Sequence, residues 1–191
     1  MEELKNYLNH ISVLGEETFN ILQNYFEPIE LKKHEFFIKE DSYAKQIGFL
    51  QKGIVRAFFV NNEGKEYNKQ FFVGPSIIGA YSSLLTNQPN KIAQQALTDC
   101  QILVADFKKV EALYDKHHDL ERLGRKIAEY YFLEKEQKEL EMGLLDADKR
   151  YELMREKFPS IERIIPQYYI ASYLGISPTQ LSRIRKKLSQ P

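Results

Sequence analysis

Between positions 115 and 145 the sequence contains no proline, and its apolar residues recur at helical spacing. Leu120, Leu123, Ile127, Tyr130, Tyr131, Leu140 and Leu144 join with Val110, Leu113 and Tyr114 into one stripe, in which Gly124 and Gly143 are the weak points. At ~1.5 Å per residue, a helix of that length runs more than about 40 Å. A small domain cannot cover such a stripe from end to end. A partner helix is its natural cover, which predicts a homodimer. The alternative is a long helix packed only on its own chain.

The sequence before this stretch has a different period. Residues 2–26 read as helical, with Leu4, Tyr7, Leu8 and Ile11 on one face and a break at Gly15. From Pro28 to about Asp106, short β-branched and aromatic segments alternate with turn chemistry, at 35–39, 47–51, 54–60, 65–73, 92–98 and 101–105. Asn61-Asn62-Glu63-Gly64 lies between two of them and reads as a hairpin loop, because Asn and Gly tolerate positive φ. Many short strands at this spacing predict a β-sandwich or roll.

With 43% hydrophobic and 28% charged residues the chain can build a proper core. No apolar run approaches the ~20 residues that span a bilayer, so no membrane contact is expected. The opening Met-Glu-Glu-Leu-Lys-Asn-Tyr-Leu is acidic and amphipathic, unlike a signal peptide. Cys100 is the only cysteine, which excludes an internal disulfide and a cysteine-ligated zinc or iron–sulfur site within one chain. Cytoplasmic residence is expected, with Cys100 as a small buried apolar residue. Of the four histidines, His117-His118 is the best axial-ligand candidate by residue type, and a solvated role accounts for it. No nucleophile–base pair, metal-ligand spacing or phosphate-cradling glycine loop is present, so neither an enzyme nor a metal or cofactor is expected.

Charge is distributed unevenly. Residues 166–191 hold four of the 27 basic residues (Arg183, Arg185, Lys186, Lys187) and none of the 27 acidic ones. The same segment reads as two short helices around Gly175, and Ser177-Pro178 supplies an N-cap and a first-turn proline for the second. Ile170, Ala171, Leu174, Ile176, Leu181 and Ile184 are the apolar set that locks a helix-turn-helix crossing. Its second helix is the kind that enters a DNA major groove. Arg183 is the expected guanine contact. Ser177, Thr179, Gln180 and Ser182 can reach bases or phosphates, and Arg185, Lys186 and Lys187 are expected to neutralise phosphates. A second reading keeps the dimer but gives the helix-turn-helix a protein-interaction role.

Three motifs in this order resemble the cyclic-AMP receptor protein and fumarate–nitrate regulator (Crp/Fnr) family of bacterial transcription factors: Lys-Lys-His-Glu-Phe-Phe-Ile-Lys-Glu-Asp at 32–41, Ile-Gly-Phe-Leu-Gln-Lys-Gly-Ile-Val-Arg-Ala-Phe-Phe at 47–59, and Ile-Ala-Ser-Tyr-Leu-Gly-Ile-Ser-Pro-Thr-Gln-Leu-Ser-Arg-Ile at 170–184. The resemblance implies an α+β architecture. Residues 1–112 would form a sensor domain, a double-stranded β-helix of the jelly-roll, cyclic-nucleotide-binding-like type. A dimerisation helix would follow at 113–145, and a helix-turn-helix DNA-binding domain at 146–191. It implies a homodimer on a pseudo-palindromic double-stranded DNA site, RNA polymerase as a partner, and a small-molecule effector of unidentified class.

The family's nucleotide pocket needs a Gly-Glu pair for the ribose and an Arg-Ser pair for the cyclic phosphate. Gly79-Ala80-Tyr81 lacks the acid, and Asn90 and Lys91 stand where Arg-Ser would be. Lys91 is a point charge without arginine's fork. Lys135 and Glu136 fall where the base would be reached and disfavour a purine edge. Cyclic-nucleotide binding by the family's mode is therefore not expected. Pro178 and Thr179 stand where arginine and glutamate are frequent in the family. The sequence runs only three residues past Leu188, so the family's two-stranded wing is expected to be absent.

Overall fold

The computed structural model describes residues 1–188. The expectation about a wing concerns sequence beyond Leu188 and lies outside the described residues. Contact density divides the chain into two units: residues 1–57 with 71–132, and residues 58–70 with 133 onward.

The first unit opens with α1 (Glu2–Ile11) and α2 (Glu16–Leu22) and continues as strands. One four-stranded sheet has the order β1 (Glu27–Leu31), β8 (Cys100–Asp106), β3 (Gln46–Lys52), β6 (Ser76–Ile78). The other has the order β2 (Phe36–Ile38), β7 (Ala93–Ala96), β4 (Ile54–Val60), β5 (Glu66–Val73). Antiparallel registers run from Glu27↔Val104 to Leu31↔Cys100 and from Gly48↔Ile78 to Leu50↔Ser76.

Alternation along β3 and β8 explains why both read as nearly continuous apolar runs. Leu50, Ile102 and Val104 point inward with Val55, Ile78 and Ala96, whereas Phe49, Leu103 and Ala105 pack against a helical layer. That layer contains Leu4 and Leu8 of α1, Phe19 and Leu22 of α2, and Leu120 and Leu123 of the long helix. Cys100 is buried in the roll, as its chemistry suggested. The Lys52-Gly53 turn requires glycine: Gly53 has φ +109°, and a Cβ there would meet Cys100 Sγ at 2.6 Å.

Sequence period missed three small elements: β1, β6, and α3 (Tyr81–Thr86). It also ran the long helix too far back. Asp106 caps the short helix α4 (Phe107–Glu111) by accepting the Lys109 amide at 3.1 Å. Turns follow, and α5 extends from His118 to Leu144. Asp119 anchors its start by accepting from the Gly15 amide (2.8 Å) and the Thr18 hydroxyl (3.0 Å). His117 Nδ1 is 3.3 Å from the same hydroxyl, and His118 is exposed beside Glu121. Among the described residues no group of three or more His, Cys, Asp or Glu could hold a metal, and no helix is long and apolar enough to cross a membrane.

Candidate nucleic-acid interface

In the second unit α6 (Ala147–Lys157) and α7 (Ile161–Ile164) precede α8 (Gln167–Leu174) and α9 (Pro178–Leu188). Tyr169, Ile170, Ala171, Tyr173 and Leu174 bury most of α8. Its end is a Schellman motif: the Ile176 amide donates to Ala171 O at 3.0 Å and the Gly175 amide to Ser172 O at 3.2 Å. Gly175 makes this possible at φ +68°, and a Cβ there would meet Met142 Cε at 2.6 Å. Ser177 then caps α9 by accepting the Gln180 amide at 3.1 Å. Leu181 and Ile184 are buried, so α9 turns its other sides to solvent.

All the residues expected on the reading face are exposed: Ser177, Thr179, Gln180, Ser182, Arg183, Arg185, Lys186 and Lys187. Their electrostatic settings differ. No carboxylate of the described residues lies within ion-pair distance of the Arg183 guanidinium. Arg185 Nε is 3.5 Å from Glu162, a carboxylate that also accepts the Tyr151 hydroxyl at 2.6 Å and lies 3.5 Å from Arg155. Lys187 pairs with Asp148, which raises its pKa. Burial, together with the bond to Glu162, pushes the Tyr151 phenol up to about 12. These acids come from α6 and α7, and the charge pattern of 166–191 gave no sign of them.

Two contacts brace α8 within the same unit. Ser172 Oγ donates to Glu66 O and accepts the Asn68 amide, both at 2.9 Å, which ties α8 to the β4–β5 hairpin. The hairpin loop is the expected one: Asn61 Oδ1 accepts from the Glu63 and Lys65 amides at 3.1 and 2.9 Å. The Lys138 ammonium lies 3.7 Å from the centroid of the Tyr173 ring. Burial lowers its pKa to about 8, and repulsion from Arg150 and Lys157 acts in the same direction.

The residues expected at nucleotide-pocket positions make the following contacts. Gly79 O accepts from Gln94 Nε2 at 2.9 Å, and Ala80 is buried. Tyr81 is exposed, with its ring edge-on to Phe107. Asn90 is buried and staples its own loop, donating to Ile92 O (2.6 Å) and Lys39 O (3.2 Å). Lys91 reaches outward to Asp41 at 2.5 Å. Lys135 pairs with Glu139 one turn along α5, and Glu136 is exposed. A cleft of about 430 Å³ in the first unit, lined by Phe36, Lys39, Tyr43, Gln46 and Asp106 among others, is lined by none of these residues.

A β-roll, a long helix and a helix-turn-helix in this order make up a Crp/Fnr-like fold. Residues 28–117 match the family described as cyclic nucleotide-binding domain. No curated protein matches the chain in sequence. Solved structures match it in fold. FixK2 from Bradyrhizobium japonicum is 17% identical, with a TM-score of 0.75 over 85% of this chain and 84% of that one. The c-di-GMP responsive global regulator CLP of Xanthomonas campestris is 13% identical, with a TM-score of 0.71 over 91% of each chain. A Crp/Fnr family regulator from Eubacterium rectale is 12% identical, with a TM-score of 0.73 over 92% of this chain and 83% of its own.

Proposed function

We propose that this chain is a homodimeric DNA-binding transcription regulator of the Crp/Fnr type, which reads a pseudo-palindromic operator with α9. The observation that carries this reading is the outward face of α9. It is a capped, acid-free helix with Arg183 exposed at its centre and three further cations along its C-terminal turn. In the division of labour it implies, 1–112 senses, 113–145 dimerises and 146–191 binds DNA. Exposed Tyr130, Leu133, Leu140 and Leu144 on α5 support the homodimer. A two-fold dimer places its half-sites about one helical turn apart, roughly 34 Å.

The effector is not a cyclic nucleotide held in the family's manner, because Asn90 and Lys91 are committed to Ile92, Lys39 and Asp41 and position 80 carries no acid. Calorimetry with cyclic AMP and cyclic GMP is expected to give no saturable heat. Titration of the full chain with duplex fragments tests the DNA reading: affinity should fall steeply with salt and exceed that for random duplex. Arg183→Ala should weaken the preferred site by about tenfold to a hundredfold and leave random DNA almost unchanged. The pairing of Arg185 and Lys187 with Glu162 and Asp148 favours the second reading, a helix-turn-helix that contacts protein. Salt-independent or absent duplex binding would select it.

A further inference from the structure

We infer that the tip of α9 reads a thymine, receiving its 5-methyl group on the Pro178 ring and the Thr179 γ-methyl beside the base that Arg183 reads. This rests on the DNA-binding reading above and adds the identity of a second base. The first turn of a helix ordinarily offers free amides, and a phosphate is their natural ligand. Here the offer is largely withdrawn. Pro178 has no N–H, the Gln180 amide is bonded to Ser177 Oγ at 3.1 Å, and the Leu181 amide to Ser177 O at 3.0 Å. Residues 177–180 are nevertheless all exposed. Beside the Thr179 hydroxyl and the Gln180 side chain, the tip presents a pyrrolidine ring and a branched methyl.

Helix geometry places these groups on the reading side. Thr179 shares an i, i+4 row with Arg183, and Pro178 shares one with Ser182, all of them exposed. Gln180 shares its row with Ile184, which is buried, and so flanks the face. Neighbours in such a row have Cβ atoms about 6 Å apart, which spans one to two base pairs at ~3.4 Å each. Neither α8 nor α9 carries a carboxylate, so neither can accept from the cytosine amino group in the way Asp or Glu does. Among base edges in the major groove, the thymine methyl is the apolar group that fits an apolar tip.

The test uses the full chain and its own selected site. Duplexes retained from a random pool are sequenced, and the best one is then titrated with deoxyuridine in place of each thymine in turn. The expected half-site carries a T·A pair within two base pairs of a G·C pair. Uracil at that thymine should weaken binding by about three- to fivefold, the value of one buried methyl group. Thr179→Ser keeps the hydroxyl and removes the methyl, and should erase most of the difference between thymine and uracil. A selected site with no thymine there, or equal affinity for the uracil duplex, overturns the inference and leaves DNA binding standing. A pool in which no sequence is enriched overturns the DNA reading and this one together.

Discussion

At the scale of single residues, Lys138 and Ser172 control how α8 is held. Lys138 is a cation with two opposing influences on it: burial and the charges of Arg150 and Lys157 disfavour its ammonium form, while Glu141 and the face of Tyr173 favour it. Desolvation is the larger, and the pKa falls from its ordinary 10.5 to about 8. The unfolded chain therefore binds more protons than the folded one between those values, and stability rises with pH through that window. Above about pH 10 the trend is opposed by Tyr114, Tyr151 and Tyr173, whose phenols burial keeps protonated in the fold. The expected outcome is a melting temperature that rises relative to Lys138→Met between pH 8 and 10, measured by parallel scans of both proteins. A pH-independent difference between the two would refute it. Ser172 acts through geometry alone. Ser172→Ala deletes both hydrogen bonds to the β4–β5 hairpin. It should destabilise the second unit by about 1–3 kcal/mol, since the Glu66 carbonyl and the Asn68 amide both lose a partner. Hydrogen exchange at the Asn68 amide should speed up while amides of the roll core, such as that of Leu103, keep their rates.

At the scale of elements, α9 is less free to bind phosphate than its composition suggests. Two of its cations begin in ion pairs, Arg185 with Glu162 and Lys187 with Asp148. The Lys187–Asp148 pair reaches solvent and is worth little as stability, whereas Glu162, 17% exposed, also holds Tyr151 and Arg155. Each acid nevertheless competes with a phosphate for the same cation. Asp148→Asn and Glu162→Gln should each raise duplex affinity several-fold. Each should also steepen the slope of log affinity against log salt by about 0.9 per phosphate contact regained, as read from titrations at four or five salt concentrations. The sequence made the helix-turn-helix itself legible because its punctuation is local: Gly175 for the left-handed turn, Ser177-Pro178 for the cap, and Leu181 and Ile184 for the buried side. It could not show Glu162 or Asp148, since those acids reach α9 only through the packing of α6 and α7. The same division runs through the first unit. Hairpin β4–β5 announced itself through Asn61 and Gly64, whereas β1 and β6 did not, because strands so short are defined by their partners β8 and β3. The start of α5 was misplaced for a related reason. Val110, Leu113 and Tyr114 continue the helical period, yet they sit on α4 and the turns after it, packed on the same core as Leu120 and Leu123.

At the scale of the whole molecule, the apolar residues of α5 divide into two parts. Its N-terminal part is spoken for, with Leu120 and Leu123 buried and the Tyr131 hydroxyl donating to Ile77 O at 2.7 Å. Further along, Tyr130, Leu133, Gln137, Leu140 and Leu144 recur at alternating spacings of three and four, the spacing that the seam of the proposed dimer would need. The four apolar members are between 55% and 77% exposed, the kind of stripe that a partner helix in the proposed dimer would cover. Gln137, at the seam's centre, is the kind of polar interruption that fixes register and strand number at some cost in stability. In the proposed dimer, DNA affinity would be coupled to association through effective concentration, since the second α9 would reach the second half-site without a new encounter. The double variant Leu133→Glu/Leu140→Glu places like charges across the seam without touching the buried core of either unit. It should sediment as a folded monomer with an unchanged far-ultraviolet dichroism spectrum. Its affinity for a two-half-site operator should drop by on the order of a hundredfold, while affinity for an isolated half-site stays that of the parent chain. A variant that remains dimeric would place the interface elsewhere. A monomer that still binds the full operator at parental affinity would separate dimerisation from reading, and Arg183 and its neighbours would then have to supply the whole affinity from one helix.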